Sequence, residues 1–270
     1  ESPRWLMTHG QREAAEKTVS GIEQTVAQEN QEVLKQPPRA EAIKVHERHR
    51  FGLAAILKPM VTTLRTRSFL GLSLMIAQAF VYNAMLFTYA LVLARYYGVP
   101  ASRTGLYLLP FAFGNFLGPL ALGHFFDTIG RRQMIAATFT IAALLLITSG
   151  YMFWRGALTA STQTILWTVM FFFASPAGSS AYLTVSEIFP LEMRALAIAI
   201  FYSAGTAVGG IVAPWLFGRL IDSGSRFELF GGYIIASALM LAAAIVEIVF
   251  GVAAEQASLE KIAAPLSSAA

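Results

Sequence analysis

The segment GHFFDTIGRR, residues 123–132, is a short polar stretch between two long apolar ones. Its aspartate, second glycine and two arginines fall within residues 127–132, whereas residues 105–122 and 134–153 contain no Asp, Glu, Lys or Arg. A helix crosses the hydrocarbon core of a bilayer with about 20 apolar residues. The segment therefore predicts a tight turn that joins two membrane-spanning helices.

The composition of the whole chain is that of a membrane protein. Of its 270 residues, 56% are hydrophobic and 13% are charged, against about 25% charged in an average soluble domain. The chain contains no cysteine, which excludes disulfides and cysteine-ligated metals. Its formal net charge of +4 is mild, and no basic run is long enough for a nucleic-acid surface. We expect no metal, no cofactor and no nucleic-acid partner.

Six apolar segments have lengths close to that of a membrane span. They are residues 69–93, 105–126, 134–153, 162–185, 196–221 and 230–252. The connectors between them are short, so the sequence predicts an all-α integral membrane protein with six transmembrane helices. Pro110, Pro119, Pro176 and Pro214 lie inside spans and each removes a helix hydrogen bond. Such prolines act either as packing kinks or as breaks that line a cavity.

Three regions follow from this pattern: a helical linker at 1–67, a six-helix transmembrane domain at 68–253 and a tail at 254–270. Lys and Arg near the span ends indicate the orientation, because they favour the cytoplasmic side. One side carries Lys58, Arg65, Arg67, Arg131, Arg132, Arg194 and Lys261, and the other carries Arg95, Arg103, Arg155, Arg219 and Arg226. The larger first group predicts a cytoplasmic linker and a cytoplasmic tail, so both termini are expected in the cytoplasm.

Residues 123–132 resemble the cytoplasmic loop motif of the major facilitator superfamily, Gly-x-x-x-Asp-Arg-x-Gly-Arg-Arg. Gly123, Asp127, Gly130, Arg131 and Arg132 match it, and Thr128 stands where the family commonly has a basic residue. We expect Gly123 to let two helices approach and Gly130 to permit the tight turn.

Two further segments resemble the sugar-porter branch of that superfamily. VSEIFPLEMRA, residues 185–195, carries Glu187, Pro190 and Arg194 in the pattern Glu-x-x-Pro-x-x-x-Arg. ESPRWL, residues 1–6, matches a motif that sugar porters and their organic-ion relatives carry just after the sixth of twelve spans. The resemblance implies the C-terminal half of a twelve-span transporter, spans seven to twelve, built as two inverted repeats of three helices. The N-terminal six-helix half is then a partner that this chain lacks.

In the family, an acid after the fourth of these spans and the arginines of the preceding loop form a cytoplasmic network. This network latches the outward-facing state. The resemblance assigns to it Glu1, Arg4, Asp127, Arg131, Arg132, Glu187 and Arg194. The alternative is that these are ordinary topogenic charges in short loops.

The resemblance implies that the substrate cavity of this half lies mainly among the first, fourth and fifth spans. Sugar porters often carry Gln-Gln-x-Ser-Gly-x-Asn on the first, and Gln78 and Asn83 keep that spacing. We expect Gln78, Asn83 and Tyr82 to bind substrate, or else to make hydrogen bonds between helices. Trp215 on the fifth span is a candidate aromatic platform, or else an interface anchor. The fourth span has SPAGSSAYL in place of the sugar-porter Gly-Pro-x-x-Trp, so an organic acid or organic ion fits as well as a sugar.

Few ionisable groups lie within the spans. Glu247, five residues before the end of the predicted last span at 252, is either a proton site or a group paired near the cytoplasmic side.

The function expected from these features is secondary active transport of a small polar solute by alternating access, coupled to protons, in a bacterial inner or other plasma membrane. An enzyme is not expected, because the chain has neither His-Glu-x-x-His nor Gly-x-Ser-x-Gly. The alternative function is a six-span protein that works alone, as a homodimer or a scaffold.

Overall fold

A computed structural model of the chain describes residues 2–8, 10–30, 52–253 and 259–264. The regular elements of these residues are all helical, which confirms the all-α prediction. The helices are α1 (Pro3–Thr8), α2 (Arg12–Asn30), α3 (Leu53–Val61), α4 (Arg65–Tyr97), α5 (Ala101–Thr128), α6 (Arg131–Trp154), α7 (Ala160–Ile188), α8 (Arg194–Ala207), α9 (Ala213–Asp222), α10 (Arg226–Phe250) and α11 (Leu259–Ile262). A π-helical turn (Val208–Val212) joins α8 to α9.

A long helical segment lies at each of the six predicted spans. α4, α5, α6, α10 and the continuous segment Arg194–Asp222 are long and apolar enough to cross a bilayer. α7 has 29 residues but is more polar, because it carries several serines and threonines and Gln163. A sixth span at α7 therefore stays a prediction.

The predicted linker is described only in part. α1 and α2 pack against each other, with Leu6 and Ala15 buried. Glu1 and residues 31–51 lie outside the described residues. The linker boundary at 67 and the assigned role of Glu1 stay predictions.

The two glycines of the loop motif have different surroundings. Gly130, directly before α6, has a φ of 115°, a backbone conformation that glycine adopts far more readily than other residues. The predicted tight turn is therefore confirmed. A Cβ at Gly123 would have no atom within 4 Å. Among the described residues no second helix approaches Gly123, so its expected role stays a prediction, and the close approaches that the structure does show occur at other glycines.

One close approach joins α5 to α7. A Cβ at Gly114 would lie 2.5 Å from the carbonyl oxygen of Thr168, and one at Gly118 would overlap the carbonyl oxygen of Phe172. In lipid, helix association depends on such packing, because the surrounding tails are as apolar as the side chains. Glycine is therefore needed at both positions of this seam.

A second close approach joins α8 and the π turn to α4. A Cβ at Gly205 would lie 2.8 Å from the carbonyl oxygen of Met75, and one at Gly209 would overlap the backbone of Ala79. As on α5, the two glycines are four residues apart, which places them on one face of a helix.

α4 and α7 form the centre of the bundle. α4 contacts α8, the π turn, α9 and α10, whereas α7 contacts α5 and α6, and α6 packs on α10. The core between them is aromatic, since the Trp167 ring lies 4.8 Å from that of Tyr89 and 5.4 Å from that of Tyr233. All three rings are fully buried.

Arg226, the first residue of α10, ties three helix ends together. It donates to the carbonyls of Phe153 at 3.0 Å and Tyr96 at 3.3 Å, at the ends of α6 and α4. Its guanidinium also lies 4.7 Å from the Phe153 ring centroid. The last carbonyls of a helix have no partner within it and carry partial negative charge, so the arginine stabilises both ends.

At the opposite end of the bundle, which we call the Glu187 end, two more arginines donate to carbonyls near the ends of neighbouring helices. Arg67 in the first turn of α4 donates to the carbonyls of Ile188 at 2.6 Å and Ile262 at 2.8 Å. Arg132 in the first turn of α6 donates to the carbonyl of Ile248 near the end of α10. These arginines therefore fix which helix ends are neighbours.

Replacing Gly118 with alanine should destabilise the protein, because the new methyl group would overlap the Phe172 carbonyl. Overpacking of this kind costs about 1–3 kcal/mol. Gly105→Ala on the same helix is the control, since its Cβ would have open space. The measurement is thermal unfolding of the full-length protein in detergent micelles. Equal melting temperatures for the two variants would contradict a tight seam between α5 and α7.

Candidate functional site

A polar cavity of about 410 Å³ lies between α4, α5 and α7. Its lining consists of Gln78, Tyr82, Asn115, Ser175, Gly178, Ser179 and Tyr182. All seven residues are uncharged, and all except the glycine carry a hydroxyl or an amide. Cavities of this size suit small molecules.

Two prolines explain why α5 and α7 meet closely at this level. Pro119 has no N–H, so the carbonyl of Asn115, four residues earlier, loses its helix partner. The Ser175 hydroxyl donates to that carbonyl at 2.9 Å. Pro176 likewise frees the carbonyl on α7 that faces Gly118. Each proline therefore frees a carbonyl that the other helix contacts, which fixes the register of the two helices beside the cavity.

The side chains of the lining are held by contacts within it. The Tyr82 hydroxyl donates to Asn115 Oδ1 at 2.8 Å, and its ring meets Phe171 edge-on with centroids 5.2 Å apart. With its oxygen engaged, Asn115 keeps its NH₂ group as the donor for another partner. A Cβ at Gly178 would lie 2.8 Å from Gln78 Cγ, so the glycine gives Gln78 room.

Of the four predicted substrate residues, Gln78 and Tyr82 line the cavity. Asn83 instead donates from Nδ2 to the carbonyl of Ala79 in its own helix at 2.6 Å. Trp215 is 55% exposed, with the Arg219 guanidinium 4.4 Å from its ring centroid. Neither Asn83 nor Trp215 belongs to the lining of this cavity, and their roles stay predictions.

Four polar lining residues were not predicted: Asn115, Ser175, Ser179 and Tyr182. A signal for Asn115 exists, because it is an amide inside an apolar span between Gly114 and Gly118. The serines and Tyr182 belong to the segment SPAGSSAYL, which departs from the sugar-porter pattern.

A smaller cavity of about 160 Å³ lies between this site and the Glu187 end. Ser179 lines both cavities. The other lining residues of the smaller one are Pro119, Gly123, Phe126, Asp127, Arg131, Pro176, Ser180 and Leu183. Gly123 therefore borders a cavity rather than a helix seam.

An ion pair lies at the edge of this smaller cavity. Arg131 Nη1 pairs with Glu187 Oε2, and Arg131 Nη2 lies 3.5 Å from Asp127 Oδ1. The Arg131 and Glu187 side chains are each 16% exposed, whereas that of Asp127 is 63% exposed. Exposed pairs contribute little, while breaking a desolvated pair leaves a buried charge uncompensated. The contact between Arg131 and Glu187 is therefore the stronger one.

The remaining residues of the predicted network have other positions. Arg132 binds the Ile248 carbonyl, and Arg194 donates to the carbonyl of Phe189 at 3.4 Å. Arg4 lies in α1 and is exposed. The structure thus brings Asp127, Arg131 and Glu187 into one cluster, whereas Arg132 contacts the end of another helix.

Comparison with known protein families identifies the chain. The family described as "Sugar (and other) transporter" matches residues 1–265. No curated protein matches the chain. The match covers both loop motifs and every residue of the two cavities. The chain therefore belongs to the sugar transporter family of the major facilitator superfamily, as the resemblance predicted.

Proposed function

We propose that this chain is the C-terminal half of a secondary transporter that moves a small polar solute by alternating access. The observation that carries the proposal is the uncharged polar cavity, together with a second cavity beside it that shares Ser179 in its lining and is bordered by the Arg131–Glu187 pair. At membrane depth, polar groups are tolerated where they line a cavity or pair within the protein. A solute held among these amides and hydroxyls would leave along this path when the ion pair separates.

The lining favours a neutral solute that carries hydroxyl groups, such as a sugar or polyol. Amides and serine or tyrosine hydroxyls both donate to and accept from such groups. An organic acid or organic cation would meet no opposite charge among these seven residues and would lose its hydration. Binding of a neutral ligand needs only the hydrogen bonds that the lining offers.

We assign α4–α6 and α7–α10 to two inverted repeats that together cross the membrane six times. The pairing of α5 with α7 has a counterpart in the pairing of α8 with α4. The glycines at the two seams are 91 residues apart in both cases, 114 to 205 and 118 to 209. Equal spacing supports a duplicated three-helix unit, the architecture from which many transporters are built.

The partner half would cover the apolar surface of α5. Leu106, Leu109, Phe113, Phe116 and Leu120 are each more than half exposed. We propose that a preceding six-helix half packs here, with the Glu187 end, the linker and the tail facing the cytoplasm of a plasma membrane. A reading frame that encodes six further spans upstream of Glu1 would support this arrangement. Crosslinks between two copies of the chain through α5 would instead favour the homodimer.

Transport by the full-length protein in proteoliposomes tests the substrate class. We propose proton-coupled transport, so we expect sugars or polyols to compete for uptake and an inward proton gradient to accelerate that uptake. Competition by organic acids or organic cations alone would contradict a neutral substrate, and uptake that ignores the gradient would contradict proton coupling.

Tyr82→Phe should weaken substrate binding, because it removes the hydroxyl that orients Asn115 and leaves the ring on Phe171. Loss of one such hydrogen bond costs about 0.5–1.5 kcal/mol, so KM should rise about 2–13-fold. Tyr151→Phe is the control, since this tyrosine is 49% exposed and lies outside the cavity lining. Unchanged KM in both variants would argue against the site.

Glu187→Gln should open the path at the Glu187 end, because it removes the charge that holds Arg131. Cysteine introduced at Ser179, in a chain without cysteine, reports the opening through its rate of labelling by a water-soluble maleimide. The rate should rise in Glu187→Gln and stay unchanged in Glu228→Gln, which alters an exposed acid at the opposite end. Exchanging the charges in Arg131→Glu with Glu187→Arg should restore slow labelling. Equal labelling rates in all four proteins would contradict the proposal that the Arg131–Glu187 pair closes this path.

A further inference from the structure

Glu247 is an acid that neither the cavity nor the Arg131–Glu187 pair uses. It lies on α10, near the end of the helix at Phe250, and is 1% exposed. Its Oε2 atom has no hydrogen-bond partner in the part of the chain that the structure describes. An ionisable side chain inside a membrane span is costly to keep, which points to a function.

Three residues meet at this carboxyl group. A Cβ at Gly251 would lie 2.7 Å from Glu247 Oε1 and 2.9 Å from Arg132 Cγ, so glycine is required for the approach. The Arg132 guanidinium donates to the carbonyl of Ile248, the residue that follows Glu247. Arg132 therefore crosses the end of α10 directly beside the carboxyl group.

Among the described helices packed against α10, Arg132 is the charged residue whose side chain passes beside Glu247. Three other charged residues lie at the same end of these helices. Arg65 is exposed, Arg67 binds the carbonyls of Ile188 and Ile262, and Arg131 binds Glu187. The remaining charged residues lie at the opposite end of the bundle: Arg95, Arg155, Arg219 and Asp222. A carboxyl group that is buried within a span and has an oxygen without a hydrogen-bond partner among the described residues is a candidate for proton binding. Arg132 is the neighbouring cation whose contact would change with the charge of that group.

We propose that Glu247 is a proton-binding site that controls how strongly Arg132 holds the end of α10. The ionised carboxylate attracts the guanidinium, and protonation removes this attraction and leaves the Ile248 carbonyl as the remaining contact. Arg131, the neighbouring residue, holds α7 through Glu187. Proton uptake at Glu247 therefore loosens one of the contacts that tie the start of α6 to its neighbours. Control of transport by pH at the Glu187 end rests on the proposed function, whereas proton binding itself does not.

Infrared difference spectroscopy of the full-length protein in lipid tests the site directly. Recorded between roughly pH 5 and pH 9, the spectra should contain a carboxylic-acid band that titrates in the wild type and disappears in Glu247→Gln. Glu228→Gln, on the same helix but exposed at its other end, should keep the band. Arg132→Gln should keep the band and change the pH at which it titrates, because the neighbouring cation is gone. A titrating band that persists unchanged in Glu247→Gln would overturn the proposal.

Uptake measured at different pH on the Glu187 side distinguishes a failure of the proposed pH control from a failure of the proposed transport function. The wild type and Glu228→Gln should respond to pH on that side, and Glu247→Gln should lose the response. If the wild type transports nothing, the proposed function fails while the infrared titration still decides the proton site. A full response in Glu247→Gln would overturn the control of transport.

Discussion

Backbone carbonyls without a helix partner are the constraint on which this bundle depends. In a bilayer such groups cannot turn to water, so the protein must satisfy them internally. At helix ends the donors are arginines from neighbouring helices, as with Arg226, Arg67 and Arg132. Inside α5 and α7 the free carbonyls come from Pro119 and Pro176. Both kinds of contact determine which helices are neighbours and at what register.

The same constraint places polar chemistry at the centre of an apolar domain. Ser175 lies where it does because it donates to the carbonyl that Pro119 frees, and it also lines the cavity. Asn115 carries that carbonyl and offers its amide to the same space. The residues that lock α5 to α7 and the residues that line the cavity are therefore partly the same. A movement that separates the two helices would change the cavity and its walls together.

The sequence allowed the helices, the loop and the family to be predicted, because hydropathy and motif spacing are local properties. Spacing on one helix singled out Gln78, which lines the cavity, and Asn83, which does not, whereas the places of Asn115 and Tyr182 depend on which helices face each other. The close helix approach expected at Gly123 is seen instead at other glycines such as Gly118, since a motif glycine marks a position without saying what stands opposite it. The partners of Arg67 lie 121 and 195 residues further along the chain. Periodicity within one segment contains no information about such distant partners.

The contacts of the two loop arginines, Arg131 and Arg132, can be compared with what a purely topogenic role would require. A topogenic role needs positive charge near the bilayer surface and no particular partner. Arg131 and Arg132 instead reach different helices, one binding Glu187 on α7 and the other the end of α10 beside Glu247. The forked guanidinium suits this task, because it donates in several fixed directions, which a lysine cannot do. Adjacent side chains that reach different neighbours make the start of α6 a junction between α7 and α10.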